Sequence, residues 1–224
     1  MIFYSQGYRV DFEGKKIVQT GGLYFRVLPG RAEVYLNGKI SKGTSMITNA
    51  AYIENLLPKD YEIEIKKDGY YSWKKILGVK EKEVTEAENI ILFAKNPEFA
   101  ITDKTYLKIL PSPTSTDAKK VVKSDGYEIW IENSEKNLPA GKRGERIFLT
   151  RFSEKIDNIF WLNDYYLIFN VGNKIKISEI DNRNGLNIID LAEFEKPKIL
   201  WDKNAKKLYV LSKNKAYLLE NLLP

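Results

Sequence analysis

The stretch Gly22-Leu23-Tyr24-Phe25-Arg26-Val27-Leu28-Pro29-Gly30-Arg31-Ala32-Glu33-Val34-Tyr35-Leu36-Asn37-Gly38 alternates apolar and other residues twice, and each run ends in a turn signal. Successive strand residues point to opposite faces, so Leu23, Phe25 and Val27 share one side, and Ala32, Val34 and Leu36 share one side of the next run. Pro29-Gly30 closes the first run. Asn37-Gly38 closes the second and supplies the two positive-φ positions of a two-residue hairpin, so Lys39-Ile40 is expected to fold back on the preceding strand. The period is that of half-buried strands, not of helices.

The same pattern continues outward from this core. Gly43 and Thr44 open a polar connection, Leu56-Leu57-Pro58 leads into Tyr61-Glu62-Ile63-Glu64-Ile65-Lys66-Lys67, and Tyr61, Ile63 and Ile65 face one way. Asp68-Gly69 turns the chain into Tyr70-Tyr71-Ser72-Trp73-Lys74-Lys75-Ile76-Leu77. Residues 80–89 are charged and aperiodic, which reads as a loop with one helical turn. Ile90-Ile91-Leu92-Phe93 then completes a small β-sandwich. Before it, Gly14-Lys15-Lys16 makes a turn between Val10-Asp11-Phe12 and Ile17-Val18.

These residues resemble the PEGA domain, a bacterial module. The matching pieces are Leu28-Pro29, Gly30-Arg31-Ala32 before Val34-Tyr35-Leu36-Asn37-Gly38-Lys39, Gly43-Thr44, Leu57-Pro58 before Tyr61-Glu62-Ile63, and Gly69-Tyr70 with Trp73. The chain departs from the pattern in turns: it has Pro29-Gly30-Arg31-Ala32, Ser45 in place of the usual Pro, and Asp60 where Gly is common. The resemblance implies a non-catalytic module, found on the outer side of the cytoplasmic membrane or in surface proteins, with no catalytic residues to carry over.

Composition narrows the chemistry. Among 224 residues there is no Cys and no His, so disulfides, thiolate chemistry, Ser-His triads and imidazole-bearing zinc sites are excluded. No enzyme activity and no cofactor are expected. The net charge of +6 is spread evenly: residues 1–97 hold 15 basic and 12 acidic residues, and the remainder 21 and 18. A nucleic-acid binder concentrates its charge on one element, so nucleic acid is not an expected partner, though binding through basic residues stays an alternative.

At the N-terminus, Met1-Ile2-Phe3-Tyr4 is far shorter than a signal-peptide core or a membrane span. Gln6-Gly7-Tyr8-Arg9-Val10-Asp11-Phe12 looks like the juxtamembrane stretch that follows a membrane helix in relatives of the module. Two readings stay open: an anchor upstream of this chain, or Met1 as the start with residues 3–10 a strand.

Beyond Asn96-Pro97 the pattern lengthens. Ile159-Phe160-Trp161-Leu162-Asn163 precedes Tyr166-Leu167-Ile168-Phe169 and Lys174-Ile175-Lys176-Ile177; Ile199-Leu200-Trp201-Asp202-Lys203 precedes Lys207-Leu208-Tyr209-Val210-Leu211 and Ala216-Tyr217-Leu218-Leu219. Ile109-Leu110-Pro111, Lys119-Lys120-Val121-Val122 and Tyr127-Glu128-Ile129-Trp130-Ile131 form an earlier copy, with a polar insertion at residues 133–145. Trp161 and Trp201 lie 40 residues apart. Several short strands per repeat of this length are the signature of propeller blades. Leu149-Thr150-Arg151-Phe152-Ser153 leading to Phe160-Trp161 is similar to the blades of TolB-type and WD-repeat propellers. About three repeats can be counted, fewer than a closed propeller uses, so an incomplete propeller or an open antiparallel sheet is expected.

The expected organisation is therefore all-β: residues 1–20 an N-terminal, juxtamembrane-like segment, 21–97 the PEGA-like sandwich, and 98–224 the propeller-like repeats. The expected role is a non-catalytic binding or scaffolding protein of the cell envelope, on its extracytoplasmic face as the resemblance implies. Protein or cell-wall glycan is the expected partner, membrane contact comes only through an anchor not present in this chain, and open sheet edges favour oligomers. A carbohydrate-binding module using exposed aromatics is the alternative.

The candidate binding residues are Tyr70, Trp73 and Lys74, where aromatic faces beside cations can stack on sugars or bases, and Lys142 and Arg143, which with Gly141 and Gly144 can hold a phosphate. One register step decides the first set, and with Tyr71 and Trp73 inward only Tyr70 is exposed. Gly141-Lys142-Arg143-Gly144 lacks the Gly-Lys-Ser/Thr ending of a P-loop. Glu62 and Glu64 share a face, yet nothing sets two carboxylates across a cleft. Asp181-Asn182-Arg183-Asn184-Gly185 has a cation at the third position of a calcium loop and Ala192 at the twelfth, so it reads as a turn.

The hairpin assignment predicts that Gly38→Val lowers the melting temperature, because a β-branched residue does not readily take positive φ. A thermal unfolding curve identical to that of the parent contradicts it.

Overall fold

A computed structural model describes residues 7–12, 14–103, 114–134 and 144–223. Among them every regular element is a strand, and no helix is long and apolar enough to cross a membrane. The chain divides into two compact units, the first running to Phe93 and including Arg183–Gly185, the second running from Ala94 to Asn182 and from Leu186 to Leu223.

The first unit begins with a hairpin, β1 (Tyr8–Asp11) against β2 (Lys16–Gln19). Two sheets follow. In one, β3 (Gly21–Leu28) lies between β6 (Ala50–Leu56) and β9 (Val84–Ile91); in the other the order is β5 (Lys39–Gly43), β4 (Glu33–Leu36), β7 (Asp60–Lys66), β8 (Trp73–Gly78). Both sheets turn their apolar faces into one core. Leu23, Phe25 and Val27 meet Ala51 and Ile53 from β6, Ala87 and Ile90 from β9, and Val34, Ile63, Ile65 and Trp73 from the other sheet. At about 1.5–3 kcal/mol for each large apolar side chain, this burial is the main gain of the unit. The Asn37-Gly38 turn forms as the sequence requires, with φ of 49° and 76°.

Two expectations are corrected. Residues 80–89 do not form a loop with a helical turn, because Val84–Ile91 is a strand paired parallel to β3. Its inward residues are Ala87, opposite Phe25, and Ile90, opposite Val27, so three residues of β9 span what two span in β3. That extra residue is a bulge, and it destroys the alternation on which a strand is recognised. The polar connection after Gly43 contains β6, whose Ala51 and Ile53 face inward while Tyr52 and Glu54 face outward.

The second unit holds three antiparallel sheets. One is β11 (Lys120–Ser124), β12 (Glu128–Asn133), β13 (Arg146–Arg151); the next is β14 (Ile156–Trp161), β15 (Tyr166–Val171), β16 (Lys174–Glu179), β17 (Ile188–Glu193). The last is β18 (Lys198–Asp202), β19 (Lys207–Ser212), β20 (Lys215–Leu219), completed on its outer side by β10 (Ala100–Thr102), the first strand of the unit. The repeat read from the sequence lands on equivalent strands, Trp161 ending β14 and Trp201 lying in β18. The strands not foreseen, β10, β13 and β17, occupy sheet edges, and the last two carry bulges against β12 and β16.

Strand β15 has no exposed residue. Leu167, Phe169 and Val171 pack with Ile129, Ile131 and Leu149 of the first sheet, while Asn170 on the other face donates from Nδ2 to the Pro197 carbonyl at 3.2 Å, beside β18. The middle sheet is thus covered on both sides, which is why β15 is apolar nearly throughout. Phe169 is 0% exposed and its ring lies 5.5 Å from Phe152. Phe169→Ala is expected to cost about 3–5 kcal/mol in urea denaturation; a loss below about 1 kcal/mol would contradict this packing.

Candidate functional site

The register of β7 with β8 decides the fate of the aromatic candidates. Ile65 stands opposite Trp73 and Glu64 opposite Lys74, so Trp73 joins the core at 3% exposure. Tyr70 is half-buried and packs on that core. Trp73 therefore presents no face to a ligand, and Tyr70 and Lys74 do not form an aromatic platform with it. Lys74 is exposed, its ammonium 3.2 Å from the Glu64 carboxylate, which Lys66 also approaches at 2.9 Å. Glu62 lies outward beside them. Lys142 and Arg143 lie outside the described residues. Asp181 to Gly185 forms the turn between β16 and β17, with φ of 46° at Asn184 and 114° at Gly185.

A different face carries the features of a site. The outward side of the β6-β3-β9 sheet sets Tyr24 directly across from Tyr52, with Glu86 opposite Tyr24 on β9. Gly22 lies beside them in close contact: a Cβ there would sit 3.1 Å from the Tyr52 ring and 3.0 Å from the Ile53 carbonyl oxygen, so a larger residue would push these neighbours back by a few tenths of an ångström. The ring of Tyr52 is thus backed on one side by bare backbone, while the residue stays 39% exposed. Tyr24 is half-buried, and Arg26 donates to its hydroxyl across a long 3.4 Å contact.

Beside Tyr52 the surface sinks into a cleft of about 350 Å³, to which Glu54, Asn55, Lys82 and Glu83 contribute. The β1–β2 hairpin borders it. Thr20 donates its backbone N–H to Gly7 at 2.9 Å, closing the base of the hairpin, and Arg9 donates to Asn55 Oδ1 at 2.8 Å, which ties the border to β6. Glu54 makes no hydrogen bond or ion pair with any described residue, and neither does the Tyr52 hydroxyl. Around the two tyrosines stand Glu54, Glu83, Glu86 and Glu88 with Arg9, Arg26, Lys42 and Lys82, and Lys42 donates from Nζ to the Tyr52 carbonyl at 2.8 Å, so the face carries charges of both signs in balance. Such a face offers an aromatic ring and carboxylate acceptors without a strong net field.

The sequence held a signal for this face. Tyr24 falls on the outward side of an alternation already legible, and Ala51-Tyr52-Ile53-Glu54 alternates in the same way. Reading that run as connection hid Tyr52. No protein-family model matches the sequence, and no curated protein is similar to it.

Glu64 yields a test of the electrostatics. Burial pulls its carboxyl upward, but hydrogen bonds from Lys66 and Lys74 and their charges outweigh this, and the group lies below its ordinary value. A depressed carboxyl stabilises the fold above the ordinary range, near pH 4, and that contribution is lost as pH falls through the depressed value. Glu64→Gln is expected to lower stability at pH 7 by up to about 1 kcal/mol, since these pairs are largely exposed. The gap between variant and parent melting temperatures should narrow as pH falls below the ordinary carboxylate range; a gap that is unchanged or wider at the acid end would contradict the assignment.

Proposed function

We propose that this chain is a non-catalytic binding or scaffolding protein of the cell envelope that acts through exposed β surfaces. The observation that carries the reading is the outward face of β3 and β6, where Tyr52, backed by Gly22 and open to solvent, stands beside Tyr24 and the carboxylate of Glu54, which has no partner among the described residues. A chain without His or Cys lacks the commonest general base and the thiolate nucleophile, whereas a ring on a rigid sheet suits recognition without chemistry.

The envelope assignment and its extracytoplasmic side rest on the resemblance of residues 21–97 to the PEGA domain. Two facing sheets with one core agree with that resemblance. For the second unit we read a propeller-like arrangement. Its support is the three successive antiparallel sheets and the return of the first strand, β10, to complete the last sheet, a way of reducing exposed edges. The remaining open edges offer sites for assembly with other copies or with protein partners.

Sedimentation with bacterial envelope fragments tests the reading. The parent chain is expected to pellet with membranes and wall, and the double variant Tyr24→Ala, Tyr52→Ala to remain in the supernatant with its far-ultraviolet dichroism unchanged. Equal pelleting of parent and a folded variant, or no pelleting of the parent, would overturn it.

A further inference from the structure

We infer that the outward face of the β6-β3-β9 sheet is a glycan-binding platform whose ligand is an uncharged polysaccharide built of pyranose rings. The inference rests on the reading of this chain as a binding protein and names the ligand class of the same face. Three observations point to it together.

The first is the geometry of Tyr52. Gly22 supports one side of the ring and the residue keeps 39% of its surface open, so a rigid aromatic plane is offered with little rotamer freedom left to lose. The axial C–H groups of a pyranose form a flat apolar patch of matching size, and their partial positive charge suits the negative face of a phenol ring. The second is the neighbour. Tyr24 is the direct cross-strand partner of Tyr52, and such pairs stand about 5 Å apart at Cβ, so a second aromatic group borders the same patch.

The third observation is the polar rim. The Glu54 carboxylate and the Tyr52 hydroxyl have no partner among the described residues, and both border the cleft that the hairpin closes on one side. A carboxylate accepts from two adjacent sugar hydroxyls, while the phenol can donate or accept. The charges around the face balance, Glu54, Glu83, Glu86 and Glu88 standing with Arg9, Arg26, Lys42 and Lys82, so neither a polyanion nor a polycation finds a strong field of opposite sign there. Hydroxyl-rich uncharged or N-acetylated sugars need no such field.

The experiment is calorimetric titration of the full chain with N-acetylchitohexaose and with cellohexaose, with polyphosphate and oligolysine in parallel. Binding of at least one oligosaccharide is expected, with none for polyphosphate. Tyr52→Ala should weaken it about tenfold or more, Tyr52→Phe should retain most of it, and Glu54→Ala should weaken it. Lys74→Ala, on the other sheet, should leave it unchanged. Failure of both oligosaccharides to bind overturns the inference, as does binding that Tyr52→Ala leaves intact in a folded protein. Oligolysine binding that depends on Tyr52, without sugar binding, also overturns it and assigns the face to a cationic protein segment. Envelope sedimentation lost in the tyrosine variants would then still support the broader reading, which separates the two failures.

Discussion

The register of β3 is the constraint on which the first unit depends. This strand lies at the centre of its sheet, paired antiparallel to β6 and parallel to β9, and its side chains alternate without interruption. Leu23, Phe25 and Val27 build the core, while Gly22, Tyr24 and Arg26 build the outer face. Core and proposed binding face are therefore the two sides of one alternation. A slip of one residue would bury Tyr24 and Arg26 and expose Phe25, an exchange that hydrophobic burial forbids. The glycines belong to the same constraint: a Cβ on Gly21 would lie 2.2 Å from the Lys80 carbonyl oxygen, so β3 meets the chain entering β9 only as bare backbone.

The second unit solves its burial problem differently. Its middle sheet is enclosed on both faces, and Asn170, buried there, is paired with Pro197 and with Asn158, whereas the buried Trp201 indole N–H of β18 has no partner among the described residues. Exposed edges are handled locally. In the first unit β5 is exposed along its whole length and carries Lys39 and Lys42, and β8 turns Lys75 to the inward register between Trp73 and Leu77. Both devices discourage pairing with a foreign strand. Strand β13 is less guarded, since Ile147 and Phe148 are both exposed along it. Its arginines, Arg146 and Arg151, lie near Glu132 and Glu128 of the adjacent strand.

Much of this was legible in the chain wherever alternation was clean. Asn37-Gly38 named its own turn, and the inward sets of β3, β4 and β7 were read residue by residue. The burial of Trp73 followed from one of the two registers open to β8. What escaped was governed by bulges and by pairing between distant segments. In β9 a bulge puts Ala87 and Ile90 three residues apart, and Ala87 adds little apolar signal of its own. In β17 the extra residue falls between Asp190 and Ala192. Tyr52 was hidden because β6 earns its place only by pairing with β3, a contact that no local window contains. The main segment of the first unit runs to Phe93, a few residues before the Asn96-Pro97 boundary read from the change of strand pattern.

The most direct test of the account is thiol labelling along β6, made simple by a chain that has no cysteine of its own. Single variants Ala51→Cys, Tyr52→Cys, Ile53→Cys and Glu54→Cys each report one side chain. The described register predicts rapid modification at positions 52 and 54 and protection at 51 and 53 until the protein is unfolded. Uniform labelling, or protection at 52 and 54 with reaction at 51 and 53, would contradict both the core and the face built upon it.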